Sequence, residues 1–337
     1  MISRRSFLGY LSAAAGATLA RQAPAMAPRR QQPLFTWTNI TPRVRVITGN
    51  GGNSMLIGTR DAALLVDAKS FGFGAALRRE VHAAVNGLQG LILTHHHFDH
   101  AGGAAAFRPD VPIVAHVNEG ARAMERARGQ AAELAQHGER YVDGYLRALA
   151  GFTEVRVDGR LREELLAFAR DPSLVVPEQF APIESFQRDR RLRAGDVEVG
   201  LMHTNPGHTD NDVIVLVPAE NVLMTGDLLF HGFHPFIDTS AGATTTGWER
   251  SIGWMLAQCD ARTIVVPGHG EVTNRAALET QRDYFRQLRE FVGTAMREGR
   301  SREEISRMPV PAFASLGWPD GLPRNLVAVY DELQRGS

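Results

Sequence analysis

Cysteine is almost missing from this chain: Cys259 is the only one in 337 residues. An intrachain disulfide is therefore excluded, and stability must come from the core and from any bound ion. The setting of that thiol, WMLAQCDA on an apolar helix face, reads as a small buried hydrophobe rather than a nucleophile. Lysine is just as scarce, with Lys69 alone among basic residues that are otherwise arginine. Charge of one sign is lacking too. The 37 basic and 37 acidic residues cancel, which removes the global electrostatic pull expected of a nucleic-acid or anionic-membrane binder. No apolar run reaches the roughly 18 residues that suggest a permanent membrane span, and no repeat or low-complexity tract marks an array. What is there is a hydrophobic content of 44%, enough for a sizeable core in one large or two ordinary domains.

Residues 1–27 differ from the rest. Arg4 and Arg5 precede a weakly apolar stretch from Phe7 to Leu19, and Ala25-Met26-Ala27 supplies small residues for cleavage. Charged, apolar and small-residue regions in that order read as an export signal. The core SRRSFL resembles the twin-arginine type, whose machinery carries folded proteins. Periplasmic or secreted localisation in a bacterium is the resulting expectation. Cleavage would leave 34 basic against 37 acidic residues, a mildly acidic mature protein.

Residues 28–35 read as a linker to a domain over 36–300. VRVITG, SMLIGT and AALLVDA are strand-like runs separated by turn residues. FGAALRREVHAAVNG carries helical spacing, and LQGLILT returns to a buried strand. Between about 118 and 176 the pattern turns Ala-, Arg- and Glu-rich with helical periodicity, which reads as a helical insertion of two or three helices. An amphipathic stripe there must be buried, so a lid over the site or a homodimer contact is expected beside the plainer reading of a surface addition. Strands resume with VEVGLMH, DVIVLVP, NVLMTG and TIVVPG, and 301–337 reads as a C-terminal extension with a final helix, NLVAVYDELQ.

Chemistry concentrates at strand ends. THHHFDHAGG follows GLIL with four histidines and an aspartate in six positions, and three further apolar runs end in NPGH, TGD and PGHG. Strands that deliver imidazole and carboxylate ligands from one sheet edge make a convergent metal site. In this order the motifs resemble those of the metallo-β-lactamase superfamily, over about Val44 to His269. The resemblance implies an α/β fold, the four-layer αβ/βα sandwich, here with a helical insertion.

It also implies roles. His95, His97 and His208 match the ligands of a first metal, while Asp99, His100 and His269 match those of a second. Asp227 stands where relatives of the glyoxalase II type place a carboxylate that bridges both. Two zinc ions suit these donors; iron or manganese suits them as well. Asp99 and Asp227 are the catalytic carboxylates of this reading, with a metal-bridging hydroxide attacking an ester, lactone, thioester or amide, a β-lactam among them. The alternative is an iron-dependent sulfur dioxygenase-type oxidoreductase of the same fold, and a noncatalytic metal-binding accessory protein comes second. The resemblance also separates branches: flavin-linked di-iron relatives place Glu at the position of His97, and one lactamase subclass places Cys near Asp227.

His231, His234 and Asn211, close in sequence to ligands, are the candidates for lining a small-molecule substrate pocket. His96 is expected beside the ligands but facing away, His203 in a supporting or structural role, and His116 in packing. A small-molecule substrate and the export machinery are the expected partners, with no nucleic acid and no permanent membrane span.

Overall fold

The computed structural model describes residues 33–152 and 159–336. The expected signal, 1–27, and residues 28–32 of the expected linker lie outside the described residues. From Pro33 onward the described chain forms one compact unit.

Two mixed sheets face each other. The first runs in sequence order β1 (Thr36–Asn39), β2 (Val44–Thr48), β3 (Ser54–Gly58), β4 (Ala63–Val66), β5 (Leu88–Ile92), β6 (Ile113–His116) and β7 (Glu184–Phe186). Its first four strands are antiparallel, and β4 to β7 run parallel. The second contains β8 (Asp189–Ala194), β9 (Val197–Met202), β10 (Ile214–Val217), β11 (Val222–Phe230), β12 (Ile264–His269) and β13 (Thr273–Asn274), ordered β13-β12-β11-β10-β9-β8. Buried Val44, Val46, Met55 and Ile57 meet Val199, Val215 and Met224 in the layer between the sheets. Burial on both faces explains the nearly continuous apolar runs of these strands.

Helices cover the outer faces. On the first sheet lie α1 (Gly74–Ala84), α2 (Glu119–His137), α3 (Glu139–Phe152) and α4 (Gly159–Arg170); the second carries α5 (Thr245–Gln258), α6 (Arg275–Arg297), α7 (Arg302–Ser306) and α8 (Gly321–Gln334). The result is the expected helix, sheet, sheet, helix sandwich.

Two expected boundaries move. Phe35, assigned above to the linker, is 2% exposed and packs edge-on against Phe73, because an aromatic of that size is stabilised by burial. The segment after 300 is no appendage: Ile305, Phe313, Leu326 and Val329 are buried in the same core as Trp248 and Phe285. Glu332 accepts from the backbone N–H and hydroxyl of both Thr245 and Thr246, which caps the start of α5. The stripe of the insertion packs on this chain as well, with Leu134 buried in the first core and Tyr141, Tyr145 and Phe168 partly buried against it.

Candidate metal centre

The ligand residues lie at one end of the two sheets. After β5 the chain turns through Thr94 to His100, and the loop beyond β9 carries His208. Asp227 lies within β11 and His269 ends β12. Gly226, just before Asp227, has φ 52°, and a Cβ there would stand 2.8 Å from the Thr94 Cβ. Only glycine lets β11 twist its next side chain into the site so close to the first motif. Gly52 likewise lets the His100 ring lie against the backbone, since a Cβ would fall 2.0 Å from His100 Cε1.

Donor atoms of His95, His97, His208 and Asp227 all lie within 4.8 Å of one another, as do those of Asp99, His100 and His269. Asp227 reaches both groups: its Oδ2 is 3.4 Å from His208 Nε2, and its Oδ1 is 3.0 Å from His100 Nε2. Asp99 Oδ2 lies 3.0 Å from His269 Nε2. The seven matched residues are thus brought together, and the carboxylate expected to bridge stands between the two sets.

Four imidazoles are held from behind. His97 Nε2 donates to Asp238 at 2.9 Å, His208 Nδ1 to the Phe236 carbonyl at 2.7 Å, and His100 Nδ1 to Asp67 at 2.8 Å. Thr94 Oγ1 donates to Asp67 and so accepts from His95 Nδ1 at 3.0 Å. Such partners fix the tautomer and aim the remaining nitrogen inward. Asp67 makes these contacts, and one from the Thr94 N–H, from a left-handed backbone at φ 61°. Strained backbone of this kind gathers at functional sites.

These tautomers test the fit of a cation. His97 Nδ1 and His208 Nε2 stand 2.9 Å apart while their other nitrogens donate elsewhere, so two lone pairs face each other. His95 Nε2 is buried with no hydrogen-bond partner, an arrangement that costs about 1–3 kcal/mol unless something accepts the lone pair. A positive ion among these nitrogens resolves both features, so the residues fit a metal.

Charge divides the site. Burial and neighbouring His100 hold His95 well below the usual imidazole range, and burial with His97 lowers His208 to about 3. Both are neutral donors. Burial also opposes the charge on His269, but Asp227 and Asp99 outweigh it and raise the group to about 9. A cation binding at the second set would have to displace such a proton.

The other candidates lie elsewhere. Asn211, expected to line a pocket, is fully buried: its Oδ1 accepts from the His96 N–H and its Nδ2 meets His96 Nδ1. It braces the first motif instead. His234 is also buried, with Nδ1 3.0 Å from the Tyr284 hydroxyl, and His231 donates to the Glu271 carbonyl. Buried polar side chains must find such partners, so Asn211 and His234 face away from any open pocket, while His231 is half-buried. His96 is buried, and the His203 ring lies tilted against that of His116 with centroids 4.1 Å apart. Sequence reading missed Asp67, Asp238 and Phe236. Asp67 ends the run AALLVDA, and this position past a buried strand is the one signal that could have singled it out.

Comparison with known proteins follows this geometry. A family model described as the metallo-beta-lactamase superfamily matches residues 47–269. A metallo-beta-lactamase type 2 of Bacillus cereus is 30% identical over 97 residues, which cover 29% of this chain and 38% of that protein. An uncharacterised protein of Mycobacterium leprae is 37% identical over 113 residues, 33% of this chain and 47% of its own length. The chain therefore matches less than half the length of these relatives. Among solved structures, a metallo-beta-lactamase from Pontibacter korlensis superposes with TM-score 0.53 at 17% identity, over 75% of this chain and 99% of that one. A double mutant of a sec-alkyl sulfatase superposes with TM-score 0.64 at 16% identity, over 89% of this chain and 50% of that one. At such identities the likeness concerns the fold.

Proposed function

This chain belongs to the metallo-beta-lactamase superfamily, and from that premise we propose that it is an exported hydrolase working with two divalent metal ions, zinc foremost. The observation that carries the reading is the pair of donor sets, His95, His97, His208 and Asp227 beside Asp99, His100 and His269. Two ions bound there supply Lewis acidity and lower the pKa of water from 15.7 toward about 7.

The chain's own groups do the rest. Asp99 is the most open of the site carboxylates, its side chain 32% exposed against 3% for Asp227. It is placed to orient the attacking water, take its proton and pass that proton to the leaving group. In balance, the water oxygen bonds to the acyl carbon, the acyl bond to the leaving oxygen, sulfur or nitrogen breaks, and the leaving group departs with the proton. Asp67 and Asp238 keep the imidazoles in one tautomer, so the donors need no rearrangement during turnover.

Export rests on the SRRSFL segment. No described helix is long and apolar enough to cross a membrane. The hydrolase reading is tested with zinc-loaded protein on an ester, a lactone, a thioester and a β-lactam. Hydrolysis of at least one substrate is expected, with loss on chelation, recovery on zinc addition, and a fall of about 10³-fold or more in Asp99→Ala. Turnover that survives both chelation and that substitution ends the proposal.

A further inference from the structure

The stretch TDND directly after His208 divides its work among three side chains. Asp212 closes the turn that carries the histidine: its carboxylate accepts from the backbone N–H groups of Gly207 and Thr209 and from the Thr209 hydroxyl. Asn211 braces His96, as described above. Asp210 turns to the helical insertion instead, where its two oxygens accept from Arg122 Nε and Nη2 at 2.8 and 2.6 Å. A two-point pair of this kind fixes direction as well as distance.

Arg122 stands on α2 beside the buried Ala123, and the same end of the helix makes two further contacts. Its Nη1 reaches the Ser240 carbonyl at 3.5 Å, and Asn118 Nδ2 donates to the Asp210 carbonyl at 3.3 Å. The Asp210 N–H in turn donates to the Ala241 carbonyl at 2.8 Å. The loop after His208 and the loop after β11 are therefore joined at the residue that Arg122 grips. In that second loop Asp238 accepts from the N–H groups of Ser240 and Ala241 with Oδ1 and from His97 with Oδ2. Two of the three imidazoles in the first donor set thus sit on, or lean on, the two loops that meet at Asp210.

The pair is also sheltered. The side chains of Arg122 and Asp210 are 28% and 23% exposed, so the water that makes surface ion pairs nearly worthless is largely kept away. The second donor set is held by other groups: His100 by Asp67, while Asp99 and His269 face each other at 3.0 Å.

We propose that Arg122 is a positioning residue for the first metal ion: through Asp210 it fastens the helical insertion to the loops that aim His97 and His208, and the second ion does not depend on it. The proposal rests on the reading that each donor set holds an ion, and not on any substrate.

Variants with a single donor set separate the two ions. His269→Ala keeps the first set and His208→Ala the second, and the zinc affinity of each is measured against a chromophoric chelator, with urea unfolding alongside. Adding Arg122→Ala should weaken zinc binding about tenfold in the His269→Ala protein and less than about twofold in the His208→Ala protein. Arg122→Lys keeps the charge but offers a point in place of a fork, and should still lose about fivefold at the first set. Asp210→Ala should lose at least as much as Arg122→Ala, and the two together little more than Asp210→Ala alone, because both cut the same link. In the otherwise unaltered chain, Arg122→Ala should weaken one of two zinc-binding steps and spare the other. Equal losses at the two sets, full recovery by lysine, or losses that multiply in the double variant overturn the proposal. A His269→Ala protein that folds yet takes up no zinc removes the two-ion reading and this proposal with it. One that binds zinc equally well with and without Arg122 removes the fastening alone.

Discussion

Helices α2 to α4 and helices α7 and α8 both enlarge the sandwich beyond its two sheets, yet they meet the ligand loops differently. The first group supports the loops through packing. Phe98, between His97 and Asp99, stacks on Phe71 at 5.9 Å and on Phe180 at 5.5 Å, while Phe168 lies 5.0 Å from Phe71 and Tyr145 donates to its carbonyl. Arg122 of α2 also grips Asp210 beyond His208. The C-terminal group is reached from the ligands' side: Trp318 lies against His269, and α8 lines an open depression that Phe236 borders. One addition packs behind the ligand loops, and the other lies beside the ligands themselves. Substitutions in the first should therefore be felt in stability and metal retention, and those in the second in substrate choice.

The largest effect that would sharpen this contrast is expected from Phe71→Ala. Removing the ring at the centre of the aromatic cluster should cost about 3–5 kcal/mol in urea unfolding and loosen metal together with it. A cost like that of an exposed position would break the comparison. Asp238→Asn comes next. It keeps shape but weakens the acceptor of His97, and zinc affinity measured against a chromophoric chelator should fall about 10–100-fold with little change in unfolding free energy.

Glu119 gives the smallest and most pH-dependent effect. It opens α2 where the insertion leaves the sandwich, and both its carboxylate oxygens are buried without hydrogen-bond partners. Burial, aided by the charge of Asp67, pushes its carboxyl from 4.5 to about 8. The folded state holds this proton more tightly than the unfolded state, so the group's contribution is fully present below 4.5 and is lost as pH rises toward 8. Glu119→Gln should thus stabilise the protein by about 1–3 kcal/mol at pH 8 and by far less at pH 5. Equal effects at the two pH values would show that this carboxyl is not held neutral.

Much of the ligand set was legible because its signal is local. An apolar strand ending in closely spaced histidines places its next side chains at a sheet edge whatever lies further along the chain. Asp67, Asp238 and Phe236 gave no comparable signal, since each acts through one hydrogen bond or ring contact set by tertiary packing. Nearness in sequence misled at Asn211 and His234: a loop can turn consecutive side chains to opposite sides, and both found buried partners. The helical stripes of α3 and α8 announced that they would be buried, but not against what. That depends on Phe71 and Phe98 in one case and on α6 with the Asp227 loop in the other.

The central claim is that seven residues hold two ions, and metal stoichiometry tests it most directly. Elemental analysis of the purified, zinc-saturated chain should find about two ions per molecule, and Asp227→Ala, which removes the shared carboxylate, should leave about one or fewer. One ion or none in the unaltered chain, or two retained without Asp227, would contradict the account.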